Sequence, residues 1–114
     1  MARENNIKIR QFLWDRQKEG FIEKFGLSCY LPEEMQYSYF QCLEIPLDNC
    51  WLDRIDIISL YANVYIRSVY NHYIRNYGEK DVWEIVEEIK KNKKVEFVVG
   101  CDTIEQLKEN MRRF

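Results

Sequence analysis

The feature that most constrains the fold is a long stretch in the middle of the chain without a helix-breaking residue. No proline or glycine occurs between Pro46 and Gly78, so a single regular element can extend through most of this stretch. In a helix with about 100° between successive residues, one arc collects several apolar side chains: Ile55, Ile58, Ala62, Ile66, Val69 and Tyr73. The opposite side of the first half is apolar as well, which is typical of a helix packed on most sides. The pattern predicts a central helix over residues 52–77.

The segments before and after this stretch predict shorter helices. Residues 5–25 have the spacing of an amphipathic helix that ends at Gly26, unless Gly20 divides it into two helices, and its apolar residues are Ile9, Phe12, Leu13, Phe21 and Phe25. Residues 81–92 have the spacing of another helix, with Val82, Ile85, Val86 and Ile89 facing inward. Asp102 and Glu105 have the spacing of a capping box for a last helix. The predicted core face of that last helix carries three apolar side chains: Ile104, Leu107 and Met111.

Two segments have strand-like composition. Residues 94–99 form the clearest strand pattern in the chain. Residues 36–45 fit a helix or a strand, and their aromatic and β-branched side chains slightly favour the strand. We therefore expect a mainly α domain of the α+β class, with about four helices around the central helix and one or two short strands. The length fits a single compact domain over residues 1–114.

Charge is unevenly distributed along the chain. The formal net charge is −2, which argues against direct nucleic-acid binding, because domains that bind nucleic acid usually have an excess of basic residues. In residues 27–66, however, Arg54 is the one basic side chain against six acidic ones, so this third has a net charge of −5. It is also rich in aromatic residues. A surface that is both acidic and aromatic attracts a basic protein and raises its association rate, although solvated loop carboxylates give the same pattern.

This acidic and aromatic third supplies the candidate binding residues. In a protein-binding role, carboxylates steer a basic partner and aromatic side chains anchor it. The candidates are Glu33, Glu34, Tyr37, Tyr39, Glu44, Asp48, Trp51 and Asp53. Basic grooves are common in nucleases and other nucleic-acid-handling proteins. We therefore expect a small non-enzymatic inhibitor of the immunity-protein, antitoxin or phage anti-defence type.

Cysteine usage and hydropathy limit the other classes. The four cysteines include no C-x-x-C pair and there is a single histidine, so no zinc pattern is present and no metal or cofactor is expected. The charged N-terminal segment does not have the pattern of a signal peptide, and no apolar run is long enough to span a bilayer. These observations predict a cytoplasmic protein with reduced thiols and no membrane association.

One short stretch supports a different class. In "RSVYNH", Arg67 and His72 resemble the R-x4-H motif of HEPN-type ribonucleases, which are small helical domains. The resemblance implies that His72 moves the proton of an RNA 2′-hydroxyl while Arg67 binds the phosphate. On a straight helix the two residues would point about 140° apart, so a binding protein is the preferred class and the ribonuclease is an alternative. A structural subunit of a larger assembly is a third possibility, and it would expose a large apolar patch when isolated.

Overall fold

The computed structural model describes residues 2–35 and 40–114, and these form helices around a four-stranded sheet. The strands are β1 (Gly26–Ser28), β2 (Cys42–Pro46), β3 (Asn63–Arg67) and β4 (Val95–Phe97). The α-helices are α1 (Ala2–Lys18), α2 (Ile55–Ile58), α3 (Arg75–Tyr77), α4 (Val82–Lys90) and α5 (Ile104–Arg113). A 3₁₀ helix covers Pro32–Met35, and a π-helix covers Val69–Ile74 directly before α3.

All neighbouring strands are parallel and their spatial order follows the chain, β1-β2-β3-β4. Side chains of a strand alternate between the two faces of a sheet. The register therefore builds rows across the sheet. One row joins Leu27, Leu43, Val64 and Val95, and the next joins Ser28, Glu44, Tyr65 and Glu96. The first row faces the core and the second faces away from it.

Most of the core lies on one face of the sheet. Leu43, Ile45, Val64 and Ile66 are each 0% exposed. The residues packed against them come from the connections between strands: Trp51, Ile55, Ile58, Val69, Tyr73, Val82 and Val86. Crossovers of one hand between sequentially adjacent parallel strands put their connections on the same face, and the core residues of the connections after β2 and β3 lie together on this one. The opposite face is called the uncovered face here, because among the described residues its row of Ser28, Glu44, Tyr65 and Glu96 is exposed or half-buried. Pro46, at the end of β2, is the buried exception on this face.

The expectation of a mainly helical fold around a central helix over residues 52–77 is wrong. This stretch forms the short helix α2, then β3, then the π-helix and α3. Val64 and Ile66 point into the core while Tyr65 and Arg67 point out of it. This alternation is the two-residue period of a strand, although the apolar positions of the whole stretch also fit the period of a helix. Pairing with both β2 and β4 satisfies the backbone of β3 on its two sides, and this tertiary pairing outweighs local helix propensity.

The predicted N-terminal helix is shorter than expected, and Gly26 has another role. Helix α1 ends at Lys18, and of the apolar residues with helical spacing, Ile9, Phe12 and Phe21 are exposed, Leu13 is half-buried and Phe25 is buried. Gly26 is the first residue of β1, where a Cβ atom would clash with the backbone carbonyl of Cys42. Glycine is therefore needed here for the close approach of two strands, not for a helix end.

The C-terminal elements are confirmed, with one change of orientation. The strand expected over 94–99 is β4, and the helix expected over 81–92 is α4, in which Val82 and Val86 are fully buried. Strand β2 occupies the end of the ambiguous segment 36–45, whose first four residues lie outside the described part of the chain. The last helix, α5, exists, but its predicted core face points to solvent.

Among the described residues, none of the helices combines the length and the apolar character needed to cross a bilayer.

Candidate binding site

The uncovered face of the sheet carries a polar and aromatic row. Ser28 and Glu96 at its two ends are exposed, whereas Glu44 and Tyr65 between them are half-buried. Burial raises the pKa of the Tyr65 hydroxyl, so Tyr65 is neutral at physiological pH. A neutral phenol between two carboxylates offers an apolar ring with acidic groups on both sides. This combination suits contact with another protein's surface.

Arg67 closes the C-terminal end of this face. Its guanidinium carbon lies 4.9 Å from the centre of the Tyr30 ring, and its Nη1 lies 3.7 Å from Glu44 Oε1. Nη2 donates a long hydrogen bond, 3.5 Å, to the Cys29 carbonyl oxygen. Nη1 is buried and has no hydrogen-bond partner in the part of the chain that the structure describes. Arg67 is thus held among ring and carboxylate groups and adds little free positive charge to the surface.

A cleft of about 640 Å³ opens beside Arg67, at the carboxyl ends of β3 and β4. Its lining comes from four parts of the chain: Glu44 and Arg67 of the sheet, residues 68–71 after β3, residues 98–102 after β4, and Gln106, Glu109 and Asn110 of α5. Loops at the carboxyl ends of parallel strands are where ligands of open α/β sheets usually bind. Its charged side chains are Glu44, Asp102 and Glu109 against Arg67, so its lining is net acidic.

Local sequence signals hold the two sides of the cleft in place. On the β3 side, Ser68 adopts a left-handed conformation with φ of 61°, which turns the chain out of β3 into the π-helix. On the α5 side, the Thr103 hydroxyl accepts a hydrogen bond from the Gln106 amide, and the Gln106 side chain accepts one from the Asp102 amide. This capping box lies one residue later than predicted, and it fixes the start of α5 against the end of β4.

Asn110 connects helix α5 to the loop after β4, and both line the cleft. It is only 6% exposed, and its side-chain amide donates a 3.1 Å hydrogen bond to the Gly100 carbonyl oxygen. A buried amide is retained where it satisfies a backbone group that would otherwise have no partner. The contact fixes the distance between α5 and the loop after β4, and so the width of the cleft.

A second polar cluster lies beyond the end of β2. Asp48 Oδ2 lies 2.6 Å from His72 Nε2 and 3.0 Å from the Tyr77 hydroxyl, and Asp48 Oδ1 accepts from the Cys50 amide at 2.9 Å. Burial alone would raise the pKa of Asp48, but these hydrogen bonds outweigh it and lower the pKa to about 2. The carboxylate is therefore ionised and accepts only, so Nε2 of His72 carries the donated proton. The cluster ties the loop after β2 to the helices after β3.

This cluster does not contain an activated nucleophile. Burial, followed by the hydrogen bond to Asp48, raises the pKa of the Cys50 thiol to about 11. A thiol with such a pKa stays protonated at neutral pH and is a poor nucleophile. The arrangement is that of a structural link between two segments.

The predicted ribonuclease pair is split between two elements. Arg67 is on β3 and lines the cleft, whereas His72 is in the π-helix and is occupied by Asp48. The helical setting that the R-x4-H resemblance implies is absent, because a strand ends at Arg67.

The predicted partner-binding residues are distributed over several places. Glu44 lines the cleft, Asp48 is held in the cluster with His72, and Glu33 and Asp53 are exposed elsewhere. Glu34 belongs to the 3₁₀ helix Pro32–Met35, and Tyr37 and Tyr39 lie outside the described residues.

Trp51 is in the core. It is 0% exposed, and its indole nitrogen donates a 2.9 Å hydrogen bond to the Tyr30 carbonyl oxygen. It therefore cannot act as a surface anchor, and its contribution is to packing.

Sequence reasoning missed much of the site. Tyr65 and Glu96 join Glu44 only through the strand register, and Asp102 and Asn110 reach the cleft only through the placement of α5. The one local signal was the acidic character of the segment that contains Glu44.

Among the described residues, no three or more His, Cys, Asp or Glu side chains lie close enough together to hold a metal ion. Comparison of the chain with protein-family models, with curated proteins and with solved structures finds no match, so its function has to be argued from this site.

Proposed function

We propose that this chain is a small non-enzymatic binding protein that captures a basic segment of a partner protein at the uncovered sheet face and the adjoining cleft. By covering such a basic surface, it would act as an inhibitor of a nucleic-acid-handling protein, in the manner of an immunity protein, antitoxin or anti-defence protein.

The observation that carries the proposal is the placement of Glu44. Its carboxylate belongs both to the Glu44–Tyr65–Glu96 row and to the lining of the cleft, and its side chain is 44% exposed. Glu44 therefore offers negative charge to a ligand that enters either surface. Arg67, the one cationic side chain that lines the cleft in the described part of the chain, is 17% exposed and lies against Tyr30 and Glu44. An incoming lysine or arginine thus meets accessible carboxylates and a largely covered guanidinium.

The physics of capture has two parts. The exposed carboxylates of Glu96 and Asp102 steer a basic partner and increase the association rate, an effect that salt screens. The Tyr65 ring then gives apolar contact that slows dissociation. We place the protein in the cytoplasm, because its four cysteines are free thiols and a reducing compartment keeps thiols free.

The test is capture of a protein from nuclease-treated lysate of the native host, with the tagged chain as bait. We expect a stoichiometric basic protein, released by salt, whose affinity falls on the order of tenfold with Glu44→Gln or Asp102→Lys. Asp53→Lys is the matched control, because Asp53 is an exposed acid that does not line the cleft.

Two outcomes contradict the proposal. If Asp53→Lys weakened capture as much as Asp102→Lys does, binding would depend on the acidic character of residues 27–66 in general and not on the cleft. RNA cleavage by the purified chain that His72→Ala abolishes while the fold is retained would make the protein a ribonuclease.

A further inference from the structure

Helix α5 presents its apolar face to solvent. Ile104, Leu107 and Met111 follow the i, i+3, i+7 spacing of one helix stripe, and they are 68%, 46% and 74% exposed. The side of α5 that contacts the fold is formed by Asn110, which is buried, and by Phe114 just after the helix. The Phe114 ring packs against Tyr70, Trp83 and Phe97. The helix is thus attached by a polar and aromatic edge while its aliphatic stripe is free.

The two ends of α5 carry charges of opposite sign. Glu105 lies in its first turn and Arg112 and Arg113 lie in its last turn, while Lys108 and Glu109 between them carry one charge of each sign. Two such helices placed antiparallel bring the acidic end of each against the basic end of the other, and they oppose their dipoles favourably. Placed parallel, they would bring the like-charged ends together. The terminal charges of α5 therefore favour the antiparallel orientation.

We propose that a second copy of this chain covers the α5 stripe, with the two α5 helices antiparallel about a two-fold axis near Leu107. Such an interface is isologous, so the same patch serves both subunits. Counting along the helix, Leu107 lies next to the second copy's Leu107, and Ile104 lies opposite the second copy's Met111. Glu105 lies close to the second copy's Arg112, whose side chain is 70% exposed and pairs at the surface with Glu109.

The size of the patch sets the strength of this dimer. A ten-residue helix is about 15 Å long, so two of them bury an area at the low end of the range for specific interfaces. The dimer is therefore expected to be reversible and dependent on protein concentration. The stripe residues Ile104, Leu107 and Met111 do not line the cleft, so the dimer and the proposed capture of a basic partner use different side chains.

The experiment is sedimentation equilibrium of the full chain from micromolar to millimolar concentration. We expect the mass to rise from the monomer value of 14.0 kDa towards twice that value. Leu107→Glu places two carboxylates at the two-fold axis and should weaken association on the order of tenfold or more. Ile57→Glu is the matched control, because Ile57 is 64% exposed on α2 and outside the stripe.

A charge exchange tests the orientation. Glu105→Arg and Arg112→Glu should each weaken the dimer, and the double variant should restore it, because the antiparallel pairing is regained with the signs exchanged. A chain that stays monomeric at all concentrations would overturn the proposal, as would a dimer that Leu107→Glu does not weaken. A dimer in which the double variant is weaker than both single variants would overturn the antiparallel arrangement.

Discussion

The two faces of the parallel sheet have opposite characters although they are built from alternate residues of the same strands. In β3, Val64 and Ile66 are 0% exposed, whereas Tyr65 and Arg67 between and after them remain partly accessible. The first face is covered by the connections that follow each strand, and the second carries Glu44, Tyr65 and Glu96. The comparison shows that adjacent residues of one strand can have different roles, since one side chain packs in the core and the next belongs to the candidate binding face. Substitutions on the two faces should therefore differ in kind.

The largest expected effect is on the buried face. Ile66→Ala removes a fully buried side chain between β2 and β4, so it should lower the free energy of unfolding by about 2–5 kcal/mol. Tyr65→Ala, one residue earlier and on the other face, should cost clearly less. Urea unfolding followed by circular dichroism measures both. Equal losses would mean that the second face is packed as tightly as the first.

The next effect concerns the edge of the sheet. Gly26→Ala puts a methyl group against the Cys42 carbonyl, so β1 must move away from β2, at a cost of about 1–3 kcal/mol. Gly100→Ala is the matched control, because a Cβ atom there meets nothing within 4 Å. Thermal unfolding of the two variants should show a lower melting temperature for the first only. A stable Gly26→Ala variant would show that β1 is not held close to β2.

An intermediate effect is expected at the polar link beyond β2, and it depends on pH. The pKa of Asp48 is lowered from its ordinary 3.8 to about 2, so its stabilising contribution is present above 3.8 and is lost as the pH falls through about 2. Asp48→Asn should cost about 1 kcal/mol near neutral pH. The measurement is the difference in free energy of unfolding between the two proteins, which should shrink across that acidic window. A difference that does not change with pH would show that the charge of Asp48 is not involved.

The smallest effect on stability is expected on the uncovered face. Glu44→Gln removes one partner of a 3.7 Å ion pair at a partly exposed position, so the free energy of unfolding should change by less than about 1 kcal/mol. The same variant is expected to weaken partner capture. If chemical denaturation instead showed a loss as large as that of Ile66→Ala, Glu44 would be a structural residue and the proposed function would lose its main support.

Several parts of the molecule could be predicted from the sequence because short-range patterns decide them. Helix α4 follows from the spacing of Val82 and Val86, and β4 follows from its β-forming residues. In the candidate site, Glu44 was singled out from the acidity of its segment, which needs no knowledge of the fold, and its role in binding stays a prediction. Its neighbours Tyr65 and Glu96 could not be predicted, because they join it only when three strands are in register.

Residues 52–77 mark the limit of what the sequence alone determined. Their apolar positions fit one side of a helix and also the inner face of a strand, so local pattern leaves the choice open. The tertiary structure decided it, because β3 between β2 and β4 satisfies its backbone on both sides and buries Val64 and Ile66 completely. Helix α5 gives the complementary case. Its amphipathic sequence determined that a helix forms, but only the folded chain decided that Leu107 faces outward, since Asn110 and Phe114 make the contacts with the core side.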